Sequence, residues 1–167
     1  NESVAFVSSE ANQAVALGTP VGSEFSLADA EIDNVSAASL QVGEADDGNV
    51  TFTNAISPAN AATLAIVTGG SVTETVTGTA FTGTALTIDG RLAPGTSAGT
   101  FDVSGNFAFG ATAQFELEID GVTPGTQHDQ LIVAGNVDLN GAELELVFGT
   151  TLTSGDEIIL VSNDQSD

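Results

Sequence analysis

The phrase Gly105-Asn106-Phe107 returns thirty residues later as Gly135-Asn136-Val137. Each copy runs into a segment where apolar and polar residues alternate, Gln114 to Ile119 after the first and Glu143 to Phe148 after the second. Alternation at period two marks a strand with one buried face, and a strand-corner-strand unit that recurs along a chain builds a solenoid or a many-stranded sandwich. A second match sets Phe81 to Ile88 against Leu139 to Leu146: one large apolar residue, a Gly bend, then two apolar residues two positions apart. This spacing predicts that Leu86, Ile88, Phe115, Leu117, Leu144 and Leu146 stack inward on neighbouring passes of the chain, with Thr87, Glu116 and Glu145 facing out. The phrase Asp89-Gly90-Arg91-Leu92-Ala93-Pro94-Gly95-Thr96-Ser97-Ala98-Gly99 between them reads as a sharp corner, because Pro-Gly and spaced glycines end strands.

The same grammar holds upstream. Val4 and Phe6, then Val15 and Leu17, alternate weakly and break at Gly18-Thr19-Pro20, and Leu27 to Ile32 has room for one helical turn. Leu40 and Val42 lead into the acidic turn Glu44-Ala45-Asp46-Asp47-Gly48-Asn49, after which Val50 and Phe52 resume the pattern. Leu64 and Ile66 run into Gly69-Gly70, and Val72 to Val76 forms another strand. No i, i+3, i+4, i+7 apolar stripe persists anywhere, so helices are few. The fold class is all-β, with a right-handed parallel β-helix and an antiparallel β-sandwich both open. Irregular spacing of about 20 to 30 residues between matched segments favours the β-helix. So does the absence of Trp and Tyr, which suits a thin core of Val, Ile, Leu and Phe.

Charge narrows the functions. The chain carries 23 Asp and Glu, one Arg, no Lys and one His, for a formal net charge of -22. At 41% hydrophobic residues it is too apolar for a disordered acidic tail, so it folds. Phosphate binding needs clustered Lys or Arg, so nucleic acid is excluded as a partner and anionic membrane surfaces are disfavoured. No apolar run approaches the roughly 18 residues of a membrane span, so membrane insertion is not expected. Without Cys there are no disulfides, thiolate metal sites or Cys nucleophiles.

With so few cations, each carboxylate must be solvated, hydrogen-bonded or neutralised by a metal ion. Two groups carry the metal expectation. Asp46 and Asp47 form an oxygen-rich turn that lacks EF-hand spacing. Glu116, Glu118 and Asp120 beside Glu143 and Glu145 would set outward carboxylates about 5 Å apart on adjacent passes, where like charges are unfavourable. Ca²⁺, which takes six to eight oxygen ligands, is the cofactor expected at either place. Asp29, Glu31 and Asp33 would share a side if extended. A solvated face is the plainer reading of each cluster taken singly.

Catalytic groups are scarce. His128 is the lone imidazole, Asp129 stands beside it, and no nucleophile-elbow motif accompanies them. Carboxylate clusters on an outer face suit polysaccharide cleavage, but such sites need cations as well, and Arg91 is expected to pair with Asp89 or span the corner. No catalytic residue is assigned, and the chain is expected not to be an enzyme.

Several phrases resemble repeats of very large filamentous-haemagglutinin-like and autotransporter-like bacterial surface proteins. They are Phe25 to Asp33, Leu40-Gln41-Val42-Gly43, Gly48-Asn49-Val50-Thr51, Leu64 to Gly70, Gly90 to Gly99, His128-Asp129-Gln130-Leu131-Ile132-Val133 and Val137 to Ala142. The resemblance implies a parallel β-helix, secretion, and a role in adhesion or as a surface stalk. Partners would be neighbouring repeats of the parent protein, copies of the chain itself, surface glycans or a host or cell-surface protein. Ala98 stands where such corners often carry Pro, and His128 where an aromatic residue is common. Family members continue beyond the segment matching Gly155 to Val161, so residues 1-167 are expected to be one β-helical module, a fragment or processed subunit of a larger secreted protein. With no helix or Pro-rich cap evident at either terminus, the module is expected to associate end to end or be covered by its parent, and a self-associating filament subunit is the alternative function.

Overall fold

The Gly-Asn repeat is a physical stack. The Gly135 N–H donates to the Gly105 carbonyl at 3.0 Å, and the Asn136 N–H donates to Asn106 Oδ1 at 3.0 Å. A Cβ on Gly135 would meet the Gly105 carbonyl, so only glycine lets the two passes come this close. The computed structural model describes residues 2-20, 22, 24-95 and 97-163. Thr96 of the corner phrase, Asn1 and residues 164-167 lie outside them.

The strands are β1 (Ser3–Phe6), β2 (Val15–Leu17), β3 (Phe25–Leu27), β4 (Ala37–Val42), β5 (Val50–Phe52), β6 (Ala61–Glu74), β7 (Phe81–Leu92), β8 (Thr100–Phe109), β9 (Gln114–Ile119), β10 (Gln130–Val133), β11 (Val137–Asp138), β12 (Glu143–Phe148) and β13 (Val161–Asn163). One helical turn, α1 (Asp29–Ile32), separates β3 from β4. All thirteen strands belong to one large sheet, which does not close on itself. Every pairing between named strands is parallel, which overturns the antiparallel alternative. An isolated antiparallel bridge joins Ile119 to His128 at a turn.

Register turns the period-two pattern into columns. Val4, Leu40, Leu64, Leu86, Phe107 and Val137 pair in succession along one, and Phe6, Val42, Ile66, Ile88 and Phe109 along the next. A third runs Val15, Val50, Val72, Leu92, Phe115, Leu144. Interior members of the columns are buried, each contributing about 1.5–3 kcal/mol. The long strands β6 and β7 bend across two columns, so β6 meets β4 with its first half and β5 with its second. Parallel strands buried together read as near-continuous apolar runs only where both faces are covered. Here the outward face stays Thr-, Ser- and Glu-rich.

The ends differ from expectation and from each other. β3 lies along the free side of β2, and both Leu27 and Ile32 of α1 are buried, so this end has a cover that the alternation did not reveal. At the other end Leu144 and Leu146 sit in register on Phe115 and Leu117 as predicted, yet they are 52% and 38% exposed. Their inward placement is corrected accordingly: no described pass lies over them.

Candidate functional site

Three places bring polar or charged groups together, and a fourth exposes apolar ones. The first is the acidic turn. Glu44, Asp46 and Asp47 converge so that one carboxylate oxygen from each lies within 4.8 Å of the others, the only such three-ligand group among the described residues. Gly43, at φ +80°, makes the turn, and a Cβ there would meet the Val67 carbonyl. Asp47 is 2% exposed; its Oδ1 accepts the Ser8 hydroxyl at 2.5 Å and its Oδ2 the Glu44 N–H at 2.9 Å. Both oxygens therefore already organise the turn. A cation here would use their remaining lone pairs together with exposed Asp46 and half-buried Glu44.

The second place is the acidic ladder. Glu116 lies beside Glu145 in register, Glu143 beside Gln114, and Glu118 beside Val147. Gly149 follows β12 and donates its N–H to Ile119, next to Asp120. The five carboxylates Glu116, Glu118, Asp120, Glu143 and Glu145 thus share one face but form no three-ligand group among the described residues. Arg91 changes the electrostatics: its guanidinium forms an ion pair with Glu116 and not with Asp89. Asp89 instead accepts the Thr112 hydroxyl at 2.8 Å. The reason is register. Arg91 pairs with Gln114 across β7 and β9, one residue column from Glu116, whereas Asp89 leaves on the same side two residues earlier and is met by Thr112. A side-chain cation therefore relieves one carboxylate of the ladder, and the expected pairing of Arg91 with Asp89 is corrected.

The third place is a set of buried ionisable groups around the corner. Asp129 Oδ1 accepts the Gly99 N–H and Oδ2 the Glu118 N–H, each at 2.8 Å. Burial still pushes its carboxyl up to about 6, against the lowering effect of those two bonds. Gln130 donates its amide to the Ile159 carbonyl at 2.8 Å. The His128 ring is buried, with Nδ1 3.1 Å from the Gly121 carbonyl, so Nδ1 carries the proton. Its Nε2 has no partner among the described residues. The phrase His128-Asp129-Gln130 is thus a stitch between three passes. Asp129 spends both oxygens on backbone N–H groups, so it does not orient His128 as a catalytic pair would. Glu74, 6% exposed, points inward in register with Phe52, and its Oε2 has no hydrogen-bond partner. Burial, and secondarily the nearby Asp102 carboxylate, push it up to about 8. The signal was present in the alternation Val72-Thr73-Glu74, which puts Glu74 on the same side as Val72.

Asp29, Glu31 and Asp33 are not extended. On α1, Asp29 accepts the Ser57 N–H at 2.6 Å, Asp33 accepts the Ala59 N–H at 2.8 Å, and Glu31 accepts the Ala28 N–H at 2.9 Å. Glu31 serves a local backbone donor, whereas Asp29 and Asp33 tie α1 to the distant segment that follows β5. An open polar groove of about 430 Å³ runs past Asn49, Gly69, Gly70, Ser71 and Arg91. The apolar place is a groove of about 210 Å³ beside β12, formed by Phe109, Phe115, Leu139, Ala142, Leu144 and Leu160. Hydroxyl–carboxylate pairs are present, Ser8 with Asp47 at 2.5 Å and Thr112 with Asp89 at 2.8 Å, and no described histidine stands with either of them. Comparison with protein-family models, with curated proteins and with solved structures finds no match.

Proposed function

We propose that the chain is a right-handed parallel β-helical module with a structural or adhesive role in a secreted bacterial surface protein, and that it is not an enzyme. The observation that carries this reading is the set of unbroken apolar columns, each fed by successive passes in parallel register. Crossovers between parallel strands are right-handed in nearly all proteins, which supplies the hand. Such a coil transmits force along its axis through stacked backbone hydrogen bonds. Two of the buried carboxylates, Asp47 and Asp129, serve a turn and a stitch. Surface glycans or a cell-surface protein are the partners proposed for the outer face.

A second reading, a self-associating filament subunit, draws on the free side of β12. The acidic charge common to both copies opposes it. To test the main reading, beads coated with the purified protein are passed over a panel of immobilised polysaccharides and cell-surface proteins, and the same soluble polysaccharides are assayed for new reducing ends or unsaturated sugars. Retention without turnover is the expected result. Turnover that a Glu116→Gln or Glu74→Gln substitution abolishes would overturn the non-enzymatic reading.

A further inference from the structure

We propose that the cavity beside Glu74 receives a primary ammonium group on an apolar stem, the lysine side chain of a partner protein. The site deepens the adhesive reading, on which only the source of the ligand rests. Its geometry begins where an apolar column is interrupted. Leu27, Leu17 and Phe52 pair in succession, and the next member is Glu74. The Thr75 N–H donates to the Phe52 carbonyl at 2.9 Å, which fixes the backbone beside the inward carboxyl. Glu74 is 6% exposed, and its Oε2 has no hydrogen-bond partner among the described residues. With Thr75 and Val76 it lines a cavity of about 360 Å³, to which the corner contributes Ser97, Ala98 and Thr100. Both ends of that corner are pinned. The Ala93 N–H donates to the Val72 carbonyl at 3.0 Å, the Gly99 N–H donates to Asp129 Oδ1 at 2.8 Å, and the Gly99 carbonyl accepts the Gln130 N–H at 3.0 Å. The cavity is therefore held in shape before any ligand arrives.

The side chains select what enters. A buried carboxyl either keeps its proton or meets a positive charge. Burial and the nearby Asp102 carboxylate both act against the ionised form of Glu74, and a bound cation answers both. The chain has no such cation to give: Lys is absent, Arg91 is paired with Glu116, and His128 Nδ1 stands at the Gly121 carbonyl. A net charge of -22 draws positive ligands in from outside. A bare metal ion suits the site poorly. Ca²⁺ takes six to eight oxygen ligands, whereas Glu74 is the one acidic residue among the described residues lining this cavity, whose volume far exceeds an ion's. An ammonium group carries three N–H donors, which Glu74 and the hydroxyl-bearing Thr75, Ser97 and Thr100 can accept. Val76 and Ala98 give apolar contact to the methylene stem that lysine lays along such surfaces. An amino sugar would bring the same ammonium with ring hydroxyls in place of that stem.

The probe is Nα-acetyl-lysine methylamide, titrated into the intact protein by calorimetry in two buffers of different ionisation heat. Glu74 is held up to about 8, so at about pH 7 binding should release close to one proton per ligand, and at about pH 9 almost none. Affinity should rise about tenfold between the two. Around Glu74, β5 and residues 93-100 carry no titratable side chain, β8 carries only Asp102, and Asp129 behind the corner, at about 6, is largely ionised throughout. The norleucine analogue, which lacks the ammonium, and glucosamine should each bind at least about tenfold more weakly. Glu74→Gln should abolish binding, and Ala98→Leu, which narrows the cavity, should weaken it with the thermal unfolding transition retained. Equal binding of norleucine would overturn the charge argument, and equal binding of glucosamine the lysine assignment. Calcium chloride that releases the same proton, in wild type and not in Glu74→Gln, would replace the ammonium by a metal ion. Should Glu74→Gln fail to fold, the wild type still decides: binding without proton release at about pH 7, or no binding, would overturn the proposal. The bead and turnover assays do not use this site, so it can fail while the adhesive reading stands.

Discussion

Replacing Glu74 by glutamine should flatten the pH dependence of stability between pH 6 and 8. In the folded protein the Glu74 carboxyl is held up to about 8, first by burial and then by Asp102, while an unfolded Glu ionises at 4.5. A carboxyl raised in this way keeps its proton in the folded state after the unfolded chain has released its own. Stability is therefore highest below pH 4.5 as far as this group is concerned, falls as pH rises through the interval, and levels off above about 8. Integrating the linkage between pH 6 and 8 gives a loss of about 2 kcal/mol. Asp129, held at about 6, adds slope near the lower end of this window, but it does so in both proteins and cancels in the comparison. Urea unfolding of wild type and Glu74→Gln at half-unit pH steps and constant ionic strength measures the difference directly. Slopes are compared and not offsets, which removes any constant shift that the amide adds to the variant curve. Parallel curves for the two proteins would refute the argument, because they would mean that Glu74 is ionised and solvated in the fold.

Two further outcomes follow from burial and from the acidic turn. Leu86→Ala, at a position with no exposure, should cost about 2–5 kcal/mol, whereas Leu144→Ala in the half-exposed end of its column should cost less than about 1 kcal/mol; chemical denaturation of both variants reads the contrast. If Ca²⁺ binds the turn at Asp46 and Asp47, as expected from the sequence, with Glu44 beside them, calcium at about a hundred times its dissociation constant adds about 2.7 kcal/mol. The unfolding midpoint should then rise between excess chelator and millimolar calcium at fixed ionic strength, and Asp46→Asn should remove the rise. An unchanged midpoint in the wild type leaves the turn to the Ser8 and Glu44 hydrogen bonds alone.

Much of the fold was legible because its signal is local. Period-two alternation marked Phe81 to Ile88 and Gln114 to Ile119 as strands, and the returning Gly-Asn phrase marked two passes that do lie on one another. Alternation states which face of a strand is apolar, and it put Leu144 and Leu146 on the same face as Phe115 and Leu117. It cannot state whether another layer arrives to cover that face, since this depends on contacts with residues far away in sequence. Hence the same pattern yields a buried Leu117 and an exposed Leu146. The cover over β2 was equally hidden, because β3 and α1 are too short to carry a periodic signal of their own.

The charge sites divide along the same line. Composition alone determined that this chain has no basic patch and that its carboxylates must find partners other than lysine. Which partner each carboxylate takes was decided by register. Arg91 could not be assigned to Glu116 from the sequence because the strand shift that aligns β7 with β9 sets their distance, and Asp129 looked like a companion of His128 until two backbone N–H groups distant from each other in sequence claimed its oxygens. Sequence determines the faces and the total charge, since both are sums over neighbouring residues. Tertiary structure decides coverage and pairing, because both depend on how distant passes of the chain are stacked.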